Sequence, residues 1–323
     1  MVAKGVFLAV LAAMGFVALD QAQAQSFPDR LIKIVVPYPP GGPSDVAARL
    51  VTQPLSASLG RPVIVENLAG AGGRVGAKAV AQANADGYTL LLGGTNPNAI
   101  APSIYSNLTF EPIKDFAAVG VIGVDSNVLV VHPTVPVNTI QELIQYSKAN
   151  PNKLSSGATI GIGPHVTLEL LRARTGSSMA FIPYKGAAPA ITDLLGNQIQ
   201  VGMTSKAVLL PLIREGRLKA LAVTSDARWP ELPDVPTMRE SGFDGVPPYL
   251  WSGLLAPVQT PPAVIDKLNA AMNEGLKIPD VRASIAKLGL ETRALTPQEF
   301  TAILADEARL WEAAVKETKV KLD

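Results

Sequence analysis

Two histidines, no cysteine and scattered serines are all that this sequence offers to nucleophilic or acid–base chemistry. His132 and His165 fall in different predicted elements, and neither belongs to an H-x-x-x-H pair that would hold zinc on one helix face. His132 precedes Pro133 at a strand end, a structural setting. His165 stands at a helix start beside a Gly-rich loop, as a first-turn surface residue or as a site group. No G-x-S-x-G elbow is present. Ser284-Ile285-Ala286-Lys287 fits S-x-x-K, but the S-D-N and K-T-G partners of that chemistry are missing and the segment lies on a distal helix. Without cysteine there are no disulfides, thiol nucleophiles or thiolate zinc sites. The expectation is a protein with no catalytic set, no metal and no cofactor.

Backbone groups are better placed to do something. Pro37-Tyr38-Pro39-Pro40-Gly41-Gly42-Pro43-Ser44-Asp45 follows the β-branched run Ile34-Val35-Val36. The run reads as a strand buried on both faces. The prolines stop it, and Gly41 and Gly42 let another group approach the backbone. Pro43 suits a first helical position, where its missing N–H has no partner to lose. The N–H groups of Gly41, Gly42, Ser44 and Asp45 can then meet an anion at the positive end of a helix dipole. Asp45 itself reads as a dipole-compensating carboxylate held by Arg49 at i+4. A second Gly-rich loop, Gly70-Ala71-Gly72-Gly73-Arg74, lacks a glycine at Val75 for G-x-G-x-x-G. It also separates Gly76 from Lys78, so a Walker loop does not form. Lys185, Lys206 and Arg74 are the cations nearest to predicted strand ends, each a solvated side chain or a ligand contact.

The elements that must position these loops alternate. Strands at Leu31–Val36, Pro62–Glu66 and Tyr88–Leu92 are each followed by a Gly-rich loop, and the first two by helices at Ser44–Leu59 and Val75–Ala83. Such β-loop-α units predict a parallel sheet with helices on its faces. After strands at Phe116–Val124 and Asn127–Val131 the pattern repeats. Strand Lys153–Ser156 leads through a Gly-rich loop to a helix at His165–Arg174. Strand ends at Tyr184 and Met203 follow, then a strand at Leu218–Thr224. The Pro-rich stretch from Ser225 to Pro248 reads as a return crossing. Trp251–Pro257 is then a strand rejoining the first domain, before a helical tail. Thr139–Glu142 and Thr296–Glu299 are capping boxes that each open a helix, and Thr237–Glu240 is a further capping box within the return crossing.

Lys4, the apolar run Gly5–Leu19 and the A-x-A site Ala22-Gln23-Ala24 form a secretory signal, so the mature chain is expected to begin at Gln25. The run is about 15 residues, short of the ~20 that a membrane span needs. The domain reading is signal peptide 1–24, first domain 25–124 with 249–323, and second domain 125–248. Formal charge is +1 with no basic block, and aromatic residues make up 5% of the chain. Neither nucleic acid nor a base- or sugar-stacking platform is expected. In open α/β sheets ligands sit beyond the carboxyl ends of the strands, so two such domains face to face make a ligand cleft.

The chain resembles the extracytoplasmic solute receptors of the tripartite tricarboxylate transporters, the Bug family. The resemblance rests on Val36 through Asp45 with Arg49, Glu66-Asn67-Leu68-Ala69-Gly70-Ala71-Gly72-Gly73, Ala85-Asp86-Gly87-Tyr88, and Ser156-Gly157 through Gly163-Pro164-His165 with Glu169. It continues in Pro183-Tyr184-Lys185-Gly186-Ala187-Ala188-Pro189, Leu232-Pro233-Asp234-Val235-Pro236-Thr237 and Trp251-Ser252-Gly253-Leu254. It implies two doubly wound α/β domains closing as a Venus-flytrap periplasmic binding protein of the type II kind. Such a receptor is monomeric in the periplasm, takes an organic acid and delivers it to permease subunits. An alternative partner is a signalling receptor. The resemblance further implies that Tyr38, Pro39, Gly41, Gly42, Ser44 and Asp45 grip a carboxylate together with Ser156, Gly157, Ala158, Thr159, Gly163 and His165. Thr95, Asn96, Tyr184, Lys185, Gly186, Ala187, Ala188, Thr204, Ser205 and Lys206 are then expected to complete the cleft. Many members carry an acid near Thr204-Ser205 and an apolar residue at Lys206, so Lys206 is expected to meet a second acidic group of the ligand.

Overall fold

The structure, a computed structural model, describes residues 27–105, 108 and 110–322. The expected signal peptide and its cleavage point lie outside the described residues. The first half runs β1 (Ile32–Val36), α1 (Pro43–Leu59), β2 (Val63–Asn67), α2 (Arg74–Ala81) and β3 (Thr89–Gly94). A π turn at Asn96–Ile100, α3 (Ala101–Ile104) and β4 (Phe116–Asp125) follow. The second half holds β5 (Asn127–Val131), α4 (Ile140–Ala149), β6 (Leu154–Thr159), α5 (Gly163–Thr175), β7 (Met179–Tyr184), α6 (Ala187–Leu195), β8 (Val201–Ser205), α7 (Lys206–Arg214) and β9 (Lys219–Val223). The chain then returns through β10 (Leu250–Pro257), α8 (Pro262–Lys277), α9 (Pro279–Lys287) and α10 (Pro297–Thr318).

Each half is built on one five-stranded sheet, ordered β2-β1-β3-β10-β4 and β7-β6-β8-β5-β9. The expectation of parallel sheets holds for β1 with β2 and β3, and for β6 with β7 and β8. It fails for β10 and β5, which run antiparallel to both of their neighbours. The reason is the crossing. Each of these strands arrives from the other half, enters at the carboxyl ends of the parallel strands and so runs against them.

Continuous apolar runs bury both faces of the strands, as sheets covered by helices on each side require. Ile34, Leu90, Val119, Ile122 and Leu254 sit in one core with α1 and α8. Leu129, Val131, Val201 and Ala222 centre the other with α4 and α5. Pro54 lies inside α1 without ending it, and a Cβ at Gly275 of α8 would stand 2.5 Å from the Pro54 Cβ, so glycine is what lets these helices meet.

Two local expectations change. β6 continues through Gly157, Ala158 and Thr159, which the sequence reads as loop, because all three pair in register with Ile182, Pro183 and Tyr184 of β7. Helical segments begin at Asn96 and at Lys206, where only loops are expected. Thr237 and Glu240 make both reciprocal capping-box bonds, at 2.7 and 3.0 Å, and a turn follows them within the return crossing. Thr296 and Glu299 make the same pair of bonds and open α10 as expected.

The last helix joins the halves. Phe300 and Leu304 pack under the first sheet, while Trp311, Ala314 and Val315 meet Val166 and Leu170 of α5 together with Ile100 and Ile104. Arg174 of α5 grips the Glu317 carboxylate with two bonds, of 2.9 and 3.0 Å.

Candidate ligand-binding site

β1, β6, β7 and β8 each pass into a helix within a few residues. The helices so launched, α1, α5, α6 and α7, have Gly42, Ile162, Gly186 and Ser205 as N-caps, and none of these side chains caps its helix. By contrast Thr139 and Thr296 cap α4 and α10; α8 and α9, which open on prolines, are uncapped as well. Uncapped first turns leave N–H donors and a partial positive charge for a partner from outside the chain, except at α7, where the Lys206 N–H already meets the Ser126 carbonyl at 3.2 Å. At Gly186 the backbone is extended and an added Cβ would meet nothing within 4 Å, so neither backbone nor packing demands glycine there. The missing side chain leaves open space in front of the α6 donors. Gly41 is different, since its φ of 83° is what favours glycine.

The loop from Tyr38 to Asp45 is held from within. One Asp45 carboxylate oxygen accepts the Gly41 N–H and the Arg49 Nε–H, both at 2.9 Å, and the other accepts the Asn67 amide at 2.9 Å. Asn67 also donates to the Tyr38 carbonyl at 3.1 Å. Asp45 is thus fully used by its own protein and shapes the loop rather than touching a ligand. Tyr38 is half-buried with its ring against Gly73, and loss of water pushes its phenol up to about 12. Asn67 is a site-building residue missed in the sequence; its signal was its place at the carboxyl end of a parallel strand. The Arg49 guanidinium first, then the Gly41 and Asn67 donors, hold Asp45 down at about 2 against the effect of burial. Asp45→Ala is expected to cost about 2 kcal/mol, the scale of hydrogen bonds to a charged group. The folded pKa lies below the ordinary 3.8, so this stabilisation is complete above that pH and is lost as pH falls through 2. Urea melts of wild type and variant, well separated at pH 6, should converge toward pH 2.

On the second half the structure gathers Gly157, Ala158, Thr159, Ala187 and Thr204 around one cavity. Ser156 is buried and its hydroxyl donates to the Ala180 carbonyl at 3.4 Å, so it packs rather than binds. His165 is neither a surface residue nor an exposed site group. It is 5% exposed, its ring stacks on Phe181 at 4.4 Å, and its Nδ1 accepts the Gly161 N–H at 3.1 Å. Burial lowers its pKa, with the Glu169 charge opposing, so the neutral imidazole latches the loop before α5. The Tyr184 hydroxyl donates to Asp193 at 2.6 Å, and burial together with that carboxylate pushes it up to about 12. Ala188 is exposed beside Ala187 in the first turn of α6, and Lys185 is exposed just ahead of it.

Lys206 departs from its expected role. Its ammonium pairs with Glu231 at 2.7 Å and lies over the Trp229 ring at 5.3 Å, so its charge is already answered within the chain. The Ser205 hydroxyl and the Lys206 N–H approach Asp125, the last residue of β4 at the crossing, whose burial pushes it up to about 7. Lys206→Ala is expected to cost at most about 1 kcal/mol, as for a partly exposed pair, and to leave ligand affinity within two-fold by titration calorimetry.

The two halves touch at Asn96 and Gly163, where the Gly163 N–H donates to the Asn96 side-chain oxygen at 3.3 Å. Thr95 is 2% exposed. Its hydroxyl accepts the Trp251 N–H at 2.9 Å and donates to Glu307 of α10 at 3.1 Å, which leaves nothing for a ligand. Burial pushes Glu307 up to about 8, against the Thr95 hydroxyl. Glu307 was legible as an acid on the apolar face that Phe300, Leu304 and Trp311 define, but not as the anchor of Thr95.

Two α/β halves with helix N-termini at the carboxyl ends of their parallel strands, joined by crossing strands, have the build of a two-domain solute-binding protein. The chain belongs to the tripartite tricarboxylate transporter family receptors, whose family model matches residues 47–320. BugT of Bordetella pertussis is 37% identical over 320 residues, covering 98% of this chain and 97% of the relative. An R. palustris protein solved with adipate superposes with a TM-score of 0.75 at 31% identity, over 92% of this chain and 100% of that one. MatC from Rhodopseudomonas palustris, solved with bound malate, gives 0.73 at 32% identity, over 90% of this chain and 100% of that one.

Proposed function

We propose that this protein captures a small organic acid between its two halves in the periplasm and delivers it to the membrane subunits of a tripartite tricarboxylate-type transporter. The observation that carries the reading is the set of uncapped helix N-termini at strand ends, α1 from the first sheet and α5 and α6 from the second. Backbone donors and helix dipoles stabilise a carboxylate without requiring an arginine. Adipate and malate, seen in two neighbours, are acids of the expected kind. The domains are 25–124 with 249–323 and 125–248, a division that the membership of the two sheets supports. The monomer closes around its ligand, and the ligand biases the open–closed equilibrium by its differential affinity for the two states. Export uses the segment 1–24, cleaved before Gln25.

A thermal-shift screen of residues 25–323 against aliphatic, hydroxy and aromatic acids tests this. A ligand at 100 times its Kd adds about 2.7 kcal/mol, a change that is easily read. Stabilisation by acids and not by their amides is expected. Stabilisation by the amides alone, after unfolding and refolding to strip any carried ligand, would overturn the reading.

A further inference from the structure

The cavity on the second half is unlike the donor-rich rim beside it. It encloses about 20 Å³, the room of a single water or methyl group. Its apolar wall comes from Ile162 before α5, Ala190, Ile191 and Leu194 of α6, Met203 of β8 and Leu209 of α7. No charged side chain lines it, and of its thirteen lining residues only Thr159 and Thr204 carry a side-chain polar atom. Those two hydroxyls have no partner among the described residues. Pro164 and Ala187, in the first turns of α5 and α6, also line it, so the slot lies beside the N-termini of both helices.

We propose that this slot selects the ligand, taking an apolar aliphatic branch beside the carboxylate, so that methyl-branched short-chain acids are preferred over their straight-chain counterparts. This rests on the carboxylate reading above and adds the substrate class. A second carboxylate does not suit the slot, since it would be desolvated there with no cation to meet it. Lys206, two residues beyond Thr204, is committed to Glu231. Thr159 and Thr204 are only half-buried, so their hydroxyls keep solvent while a methyl sits against the apolar wall. Glycine at 202 keeps the slot open, because a Cβ there would stand 2.8 Å from Leu194 Cδ2 and push that side chain into it.

The test is calorimetric titration of residues 25–323 with matched pairs: butyrate against 3-methylbutyrate, and succinate against methylsuccinate. The branched member of at least one pair should bind about four-fold tighter or better, the ratio for one buried methylene at about 0.8 kcal/mol. Ala190→Leu, which fills the slot, should bring that ratio to near one; if it does not fold, by circular dichroism, the smaller Ala190→Val takes its place. Equal or tighter binding of the straight-chain members, or a ratio untouched by filling the slot, overturns the proposal and leaves the receptor reading intact. Binding of no acid in either pair or in the wider screen overturns both.

Discussion

The mature protein is expected to be more stable at pH 5 than at pH 8, and Glu307→Gln to remove much of that difference. Glu307 sits 6% exposed on α10 with the Thr95 hydroxyl as its partner, and burial lifts it from 4.5 to about 8. The sign follows from which state gives up the proton first. Unfolded Glu307 ionises near 4.5, while the folded one holds its proton to about 8, so stability is full below 4.5 and falls as pH rises through that window. A tenfold difference in proton affinity between the folded and unfolded chain is worth about 1.4 kcal/mol, so the change is on the order of 4 kcal/mol, with relaxation and water entry reducing it. Asp125 acts in the same sense between 3.8 and 7, lifted by burial against the Ser126 and Lys206 N–H groups. Glutamine at 307 still accepts from Thr95 and cannot ionise. Denaturant melts at pH 5, 6.5 and 8 should therefore show a steep decline for wild type and a shallower one for the variant. Parallel declines would mean that Glu307 does not titrate in this range.

Trp311→Ala should be the most damaging single change at the seam between the halves. The side chain is 1% exposed among Ile100, Ile104, Val166 and Leu170, which come from both halves, and large-to-small changes of this kind cost about 3–5 kcal/mol. Trp311→Phe should cost much less, because the indole N–H has no hydrogen-bond partner among the described residues and its loss leaves nothing unpaired. Melting of the two variants against wild type gives the comparison directly. Because the cluster spans the seam, Trp311→Ala should also separate unfolding of the halves into two transitions, seen by calorimetry as a broadened or split endotherm. An alanine variant as stable as the phenylalanine one would show that the seam is not held by this cluster.

Much of the architecture was legible because it is local. Asp45 and Arg49 at i,i+4, the Thr296 capping box and the β-branched runs each imply their own geometry, and the structure bears all three out. The antiparallel course of β5 and β10 was not legible, since direction depends on which end of a sheet the chain enters after a crossing. The site divides along the same line. Backbone donors at Gly42, Ser44 and Ala187 follow from loop and helix positions that sequence spacing reveals, whereas the Gly41 N–H is taken by Asp45. The partners of Thr95, His165 and Lys206 lie at Glu307, Gly161 and Glu231, and two of these three are set only by tertiary packing. The slot was invisible for the same reason: Ile162, Ile191, Met203 and Leu209 are far apart in the chain and meet only when β6, β8, α5, α6 and α7 are brought together.

The claim that backbone donors hold a carboxylate is tested most directly by amide chemical-shift mapping of isotopically labelled residues 25–323, titrated with the acid that gives the largest thermal stabilisation. The largest changes are expected on the N–H groups of Gly42, Ser44, Ala187 and Ala188, the last three in the first turns of α1 and α6. Changes concentrated elsewhere, at the crossing around Asp125 and Lys206 or along α10, with these amides unmoved, would contradict it.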